Sequence, residues 1–447
     1  ANTTGASNVA VGTYALDANT TGTGNTSVGK SSLSANTTAD NNTAVGNDAL
    51  ILNTTGASNT AVGKNALESN STASNNTAVG KSALGANTTG TGNTSVGVNA
   101  LDANTTADDN TSIGYNSLSA NSTGANNVAV GTQALQANTT AGSNTALGRQ
   151  SLVANTTGAS NTAVGTNSMG ANTTGSENVA VGAGALDATG AGTDGSYNVA
   201  VGNDALGANT EGQFNVALGR RAGYAITTGD ENVAIGYLAL YTATTASNNV
   251  AVGTSALQAN TSGTDNVAVG DRSLDANTTG SDNTALGDNA LGANTTAANN
   301  TAVGSGALAT NSTGTGNTAV GQNAGTAITT GSNNTIVGKL AGDAITTGSA
   351  NVAIGEDALS AVTTADNNTA IGQGAMESNT AGTDNVAVGA AALDANTTGD
   401  DNTAIGDNAL GANIGADNNT AVGSSALLLN STGTANVAVG SLSLDAN

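Results

Sequence analysis

The sequence lacks the side chains on which most enzymes and metal sites depend. It contains no Cys, His, Pro or Trp, and aromatic residues make up only 2% of the chain. Without His and Cys, the usual general bases, thiol nucleophiles and soft metal ligands are missing. We therefore expect a non-enzymatic protein without a cofactor. The absence of Cys is compatible with any redox compartment, including the exterior of a cell.

Charged residues are also scarce, and their balance is acidic. The chain carries 31 Asp and Glu against 8 Lys and Arg, for a net charge of −23. The acids are scattered mostly singly, which is typical of solvation rather than of an acidic tail, and the balance disfavours a nucleic-acid partner. No stretch approaches the roughly 18 apolar residues of a membrane span. No signal sequence opens the chain, so we interpret it as a mature or excised segment.

What the sequence does contain is one unit repeated from end to end. The phrase Asn-[Thr/Val]-[Ala/Ser]-[Val/Ile/Leu]-Gly occurs 26 times, with Ile336 the one larger residue at the middle position. Of the 25 spacings between these glycines, 24 are 17 residues, and only Gly182 to Gly202 has three extra residues. A fixed short period is the signature of a solenoid. We predict one continuous array over residues 1–447 with a single irregular coil at 183–201.

The composition of the unit favours strands over helices. Gly, Asn, Thr and Ser are poor helix formers, whereas the repeated phrase is rich in β-branched residues. Val11 should share one strand face with the residue two positions earlier, and Leu16 should supply an apolar row from the opposite wall. We predict an all-β fold, a parallel β-solenoid of about 26 coils of 17 residues. Each coil of this β-roll, expected to be left-handed, should have two short strands and rise about 4.8 Å.

Stacking would turn each position of the repeat into a column. We predict that the Val and Leu columns fill the interior, that Ala10 and its equivalents face outward towards another chain, and that the Asn column forms an amide ladder at a left-handed corner. The predicted columns are represented by Asn8, Val11, Gly12, Leu16, Asn59, Val62, Gly63 and Leu67.

Most units have Leu as the fourth residue after the repeat glycine, but three units lack it. They carry Gly223, Gly325 and Gly342 there, and each has an Ile three residues later, namely Ile226, Ile328 and Ile345. We interpret this as an apolar side chain that has moved within a packed interior.

Acidic and aromatic residues provide the remaining candidate sites. Two pairs of acids would stack in neighbouring coils, namely Asp265 with Asp282 and Asp384 with Asp401. Each pair is either a weak calcium site or part of a solvated loop. We favour the solvated loop because the calcium β-roll pattern is absent. Arg220, Arg221, Tyr237 and Tyr241 could form a surface that contacts a glycan or a protein. The competing interpretation, which we favour, is that the aromatic rings cover a packing defect around the insertion.

The abundant Asn and Thr raise two further interpretations. Sequons such as those at Asn19, Asn104 and Asn396 recur in most units, but they follow automatically from the composition and are poor evidence of glycosylation. Regular Thr columns are also typical of ice-binding solenoids. Adjacent pairs such as Thr20-Thr21 should point to opposite faces, and the column before the middle strand residue alternates Thr with Val, so ice binding ranks below a fibre.

The repeat resembles a known family of surface fibres. Asn59-Thr60-Ala61-Val62-Gly63 and Asn402-Thr403-Ala404-Ile405-Gly406 are similar to the head repeat of trimeric autotransporter adhesins, whose parallel β-rolls associate as three chains around one axis. The longer form, with Ala-Asn-Thr-Thr-Gly, is similar to repeats in phage and bacterial fibre proteins. The unit is longer than the usual adhesin head repeat. The resemblance implies a homotrimer outside the cell, at the surface of a cell or a virion.

We therefore expect an extracellular structural or adhesive fibre segment, without membrane insertion, that recognises a host-surface glycan or protein. A different assembly, a filament of monomers joined head to tail, is also compatible with the sequence, because both termini occupy the same phase of the repeat. Ice binding and glycan binding by the solenoid are two further candidate functions.

Overall fold

The computed structural model describes residues 1–188 and 195–445. It divides the chain into two compact units, Ala1–Thr228 and Gly229–Asn447, here called the first and the second unit. The predicted insertion, within Thr189–Tyr197, falls largely on residues 189–194, outside the described residues.

The first unit contains thirteen three-residue strands in its described part. They are β1 (Val9–Val11), β2 (Thr26–Val28), β3 (Thr43–Val45), β4 (Thr60–Val62), β5 (Thr77–Val79), β6 (Thr94–Val96), β7 (Thr111–Ile113), β8 (Val128–Val130), β9 (Thr145–Leu147), β10 (Thr162–Val164), β11 (Val179–Val181), β12 (Val199–Val201) and β13 (Val216–Leu218).

The described part of the second unit contains another thirteen. They are β14 (Val233–Ile235), β15 (Val250–Val252), β16 (Val267–Val269), β17 (Thr284–Leu286), β18 (Thr301–Val303), β19 (Thr318–Val320), β20 (Thr335–Val337), β21 (Val352–Ile354), β22 (Thr369–Ile371), β23 (Val386–Val388), β24 (Thr403–Ile405), β25 (Thr420–Val422) and β26 (Val437–Val439).

Within each unit, every strand pairs in parallel with the next strand along the chain. Thr60 of β4 is opposite Thr77 of β5, so equivalent residues of successive coils are 17 positions apart. Across the insertion the step is 20, because Val179 of β11 is opposite Val199 of β12. The predicted all-β parallel solenoid with 17-residue coils is confirmed.

In the described part of the chain, each coil has one strand and not the two that we predicted. After the strand, the second and fourth residues beyond the repeat glycine take left-handed conformations, as in Asn65 with φ of 58° and Leu67 with φ of 51°. A left-handed residue breaks an extended segment. The turn still bonds to the next coil, since the Leu67 N–H donates to the carbonyl of Ala83 at 3.1 Å and the Ser69 N–H donates to that of Gly85 at 3.0 Å.

The strand faces are the reverse of our prediction. Ala61, at the middle of β4, is fully buried, whereas Val62 is 36% exposed. The Val column therefore lines the outside, and the Ala column points into the coil. The physical reason is the width of the coil, because Leu67 enters from the opposite wall, is also fully buried, and leaves room for little more than a methyl group.

One coil demonstrates that the middle strand residue and the Leu compete for the same space. Ile336 is fully buried at the middle of β20, and the same coil has Gly342 in place of the Leu. A Cβ atom on Gly342 would lie 3.0 Å from Ile336 Cδ1 and 2.9 Å from Ile345 Cδ1. The predicted exchange between Leu and Ile is therefore confirmed, since the Ile side chains fill the volume that Leu occupies elsewhere.

The column of Asn before each strand ties three coils together. The backbone N–H of Asn59 donates to Asn42 Oδ1 at 2.9 Å, its own Oδ1 accepts from the N–H of Asn76 at 3.0 Å, and its Nδ2 donates to the carbonyl of Ala73 at 2.8 Å. The predicted amide ladder is confirmed, but the prediction that this Asn itself takes a left-handed conformation is wrong. The left-handed residue is the preceding one, here Ser58 with φ of 59°.

A second Asn ladder, which our sequence reasoning missed, follows the turn. Asn70 Nδ2 donates to Asn53 Oδ1 at 2.8 Å and to the carbonyl of Ala73 at 3.0 Å. Both Asn residues are fully buried. Buried amides satisfied in this way stiffen a core and set its register.

Candidate functional site

The outward residues of the strands form the main candidate surface of each unit. The first and third residues of every strand point outward, and we call these two columns the sheet face. In the first unit Ile113 is 40% and Leu147 is 46% exposed, and in the second unit Leu286 and Ile405 are each 40% exposed. At ordinary strand spacings, thirteen strands give a face of about 60 Å by 7 Å, or roughly 400 Å² per unit. The third-residue column is entirely apolar, and the first-residue column is Thr in 15 of the 26 described strands and Val in the others. Contiguous exposed apolar surfaces of a few hundred Å² are often functional.

The sheet face carries no charge in either unit. Its first column is Thr or Val and its second column is Val, Ile or Leu in all 26 strands. Charges begin directly beside it. We call the residue after each repeat glycine, such as Lys64, the glycine rim, and the two residues before each strand's Asn, such as Asp108 and Asp109, the asparagine rim. An apolar centre bordered by charged rims is the anatomy of a protein interface.

The predicted contact residues do not lie in one unit. Arg220 and Arg221 belong to the first unit, and Tyr237 and Tyr241 to the second. In the first unit, Arg221 Nε lies 3.5 Å from Asp204 Oδ2, and the Arg221 guanidinium carbon lies 5.5 Å from the centre of the Tyr224 ring. In the second unit, Tyr237 is 46% exposed on the glycine rim. The structure therefore assigns Arg221 local partners at its own coil edge.

An aromatic pair in the first unit was not predicted. The rings of Tyr197 and Phe214 stack with their centres 5.0 Å apart and an angle of 6° between planes. Both residues take the left-handed position before the Asn of their coil, and they are 46% and 52% exposed. Their spacing of 17 residues was the signal in the sequence that could have identified the pair.

The acidic candidates are corner residues. Asp265, Asp282, Asp384 and Asp401 are all exposed and have φ between 56° and 60°, in the left-handed position of the asparagine rim. Across residues 1–188 and 195–445, no three His, Cys, Asp or Glu side chains come together as metal ligands. Asp is common at such corners because its short side chain tolerates a left-handed backbone.

The three sequons named above are inaccessible in the folded chain, whereas sequons at corners, such as the one at Asn75, have an exposed Asn. Asn19, Asn104 and Asn396 are fully buried. Asn104 Nδ2, the atom to which a glycan would be attached, donates to Asn87 Oδ1 at 3.0 Å and to the carbonyl of Ala107 at 3.1 Å. Attachment of a glycan there requires the coil to open.

Among the carboxyl groups of residues 1–188 and 195–445, five have a raised pKa, and each belongs to the fifth residue after a repeat glycine. Removal from water is the largest cause in each case, ahead of the backbone hydrogen bonds that lower the pKa. The groups are Asp102, Asp187, Asp275, Asp343 and Asp394. Asp102 Oδ1 is buried and has no hydrogen-bond partner among the described residues.

We expect these carboxyl groups to make the chain less stable as the pH rises. A group whose folded pKa lies above its unfolded value of about 3.8 holds its proton more tightly when folded. It therefore favours folding below that unfolded value, and the benefit is lost as the pH rises through the folded pKa. Asp102→Asn should raise the free energy of unfolding at pH 7, by less than about 1 kcal/mol because the side chain keeps some contact with water.

Urea unfolding at pH 7 and pH 3 checks this expectation. The gain from Asp102→Asn should disappear at pH 3, where the carboxyl is protonated in both states. Asp109→Asn, which changes an exposed residue, serves as the control. An equal gain at both pH values would show that the charge of Asp102 is not the cause.

No protein-family model matches the sequence, and a comparison with curated protein sequences also gives no match. In residues 1–188 and 195–445, the structure contains no helix with the length and apolar character needed to cross a membrane.

Proposed function

We propose that this chain is a non-enzymatic structural segment of an extracellular fibre, in which copies of the chain associate through their sheet faces. The observation that carries the proposal is the uncharged, outward column of Val, Ile and Leu that continues through every strand of each unit. Water contact with such a column is unfavourable, and a second copy offers a surface of the same character. The similarity of the repeat to adhesin heads and fibre proteins is consistent with this role.

The interior of each unit suits a load-bearing role. Successive coils are joined by strand pairing and by two ladders of buried Asn, such as those that contain Asn59 and Asn70. Because neighbouring coils repeat the same bonds, stretching or bending one coil requires several hydrogen bonds to break together. In the proposed fibre, the array holds a binding part at a fixed distance from the surface of a cell or a virion.

Lysine substitutions on the sheet face test the proposal. We expect the unmodified chain to sediment as an oligomer in analytical ultracentrifugation, and Val79→Lys with Ile113→Lys to weaken association at least tenfold, because burying the ammonium groups is costly. Thr89→Lys with Thr123→Lys adds the same charge at exposed turn positions away from the face and is the control. A monomeric unmodified chain, or equal effects of both pairs, would contradict the proposal.

Ice binding is the second candidate, and the same surface motivates it. The sheet face presents outward Thr and Val at regular spacing on a parallel sheet, as in Thr60 and Val62 followed by Thr77 and Val79. The candidate ice-binding surface is therefore this array and not the Thr20-Thr21 pair. The hydroxyl of Thr20 donates to the carbonyl of Thr37 at 2.9 Å. Thermal hysteresis indistinguishable from buffer would eliminate this candidate.

A further inference from the structure

The two units differ strongly in charge. Residues 1–228 contain 12 Asp and Glu and 6 Lys and Arg, for a net charge of −6, whereas residues 229–447 contain 19 and 2, for −17. Nearly three-quarters of the net charge therefore lies on the second unit. Any association between copies must accommodate this imbalance.

The glycine rim shows the difference most clearly. In the first unit its charged residues are all basic and exposed, and they are Lys30, Lys64, Lys81, Arg149 and Arg220. In the second unit they are the acids Asp271, Asp288, Glu356 and Asp407, together with Lys339. Lys339 Nζ lies 3.1 Å from Glu356 Oε1, so this one cation is already paired within its own column.

The second unit has acids on both rims of the same coils. Asp265 and Asp271 flank β16, and Asp282 and Asp288 flank β17. Two second units that packed face to face, in either direction, would bring acidic rims together. A first unit packed against a second unit would instead place its basic glycine rim beside one of the acidic rims.

The energetics favour contact between unlike units. The repulsion between two units scales with the product of their net charges. Because the two net charges are unequal, two contacts between a first and a second unit give less total repulsion than one contact between two first units plus one between two second units. An exposed rim pair contributes only about 0–1 kcal/mol. The apolar face therefore supplies the affinity, and the rims select the partner.

We propose that the sheet face of the first unit in one copy packs against the sheet face of the second unit in another copy, with the basic glycine rim beside acidic residues. This inference rests on the proposed self-association and adds which surfaces meet. It differs from an in-register parallel bundle, in which equivalent coils of all copies would lie side by side.

Zero-length cross-linking with a carbodiimide distinguishes these arrangements. The reagent joins Lys to Asp or Glu in contact, and a mixture of unlabelled and ¹⁵N-labelled chains separates links between copies from links within one. We expect Lys30, Lys64 and Lys81 to link to acids of residues 229–447 in another copy. Links between copies that join these lysines instead to acids of the first unit, such as Asp40, would overturn the inference.

Charge reversal provides an independent test. Lys64→Glu with Lys81→Glu lowers the charge of the first unit's glycine rim from +5 to +1, and Asp288→Lys with Asp407→Lys changes that of the second unit's glycine rim from −3 to +1. At low ionic strength each double variant should associate at least threefold more weakly than the unmodified chain. A mixture of the two should partly recover, because a mixed pair contains one contact between an unaltered first unit and an unaltered second unit, which neither variant can form with itself. High salt should abolish the differences.

The outcomes separate the two proposals. If the unmodified chain does not associate at all, the proposed function fails. If it associates and the mixture of variants shows no recovery over either variant alone, only the pairing of unlike units fails.

Discussion

Gly80→Ala is expected to lower the free energy of unfolding by at least about 4 kcal/mol. Gly80 has φ of 141°, a conformation that side chains rarely adopt. A Cβ atom there would lie 2.6 Å from the carbonyl carbon of Gly97 in the next coil and would overlap its oxygen. Both atoms belong to backbone held by strand pairing, so the clash can be relieved only by separating the coils.

The matched control is Gly85→Ala in the same coil. A Cβ atom on Gly85 would have its nearest neighbour, the carbonyl oxygen of Ser82, 3.4 Å away, an ordinary contact. This substitution should change stability by less than about 1 kcal/mol. Circular dichroism during urea unfolding measures both variants. Similar curves for the two would show that the close approach of successive repeat glycines does not limit the stacking of coils.

Exchanging Leu and Ile between their two positions should produce strong coupling. Ile328 is fully buried, and a Cβ atom on Gly325 would lie 3.0 Å from its Cδ1 and 3.2 Å from Leu308 Cδ2. Gly325→Leu alone overfills this space, and Ile328→Asn alone empties it, so each should cost about 2 kcal/mol. The double variant recreates the common coil and should lie within about 1 kcal/mol of the unmodified chain, a coupling of about 3 kcal/mol.

The ladder of Asn gives a further reason to expect recovery. Asn311 Oδ1 is buried and has no hydrogen-bond partner among the described residues, and the next residue in its column is Ile328. An Asn at position 328 can donate to it, as Asn70 does to Asn53. A double-mutant cycle measured by urea unfolding checks this expectation. Additive effects of the two substitutions would contradict the inference that the Leu and Ile side chains fill the same volume.

The fold class could be predicted because the repeat itself encodes it. A period of 17 residues without Pro, rich in Val, Thr and Gly, leaves stacked parallel strands as the arrangement that satisfies every backbone group of a coil. The second strand could not be predicted from apolar pattern alone. Leu67 is apolar in a strand-like context, but its φ of 51° makes it part of a turn.

The direction of the strand faces was misjudged because we placed the larger residue inside. Val62 is larger than Ala61, and burying it would ordinarily release more free energy. The limit here is volume, since the Leu column already fills the coil. The sequence did contain a signal, because the one coil with Ile336 at the small position is also a coil without the Leu. Position-by-position variation within a repeat therefore indicates packing better than residue size does.

The candidate surface could be located only after the faces were known. Its residues were already recognised in the sequence as Val and Thr columns, but they had been assigned to the interior and to a poor ice-binding array. The charge difference between the rims depends on where the two units divide, at Thr228 and Gly229, and the uniform repeat gives no indication of that division.

In-register pairing of equivalent residues also has a genetic consequence. Because Thr60 is opposite Thr77 and each coil offers its neighbour the same bonds, removing or duplicating any stretch of 17 codons leaves every column in phase. Recombination that removes or adds whole repeats of 17 codons would therefore change the number of coils without changing the fold. Selection can then act on length in whole coils, with each step about 4.8 Å.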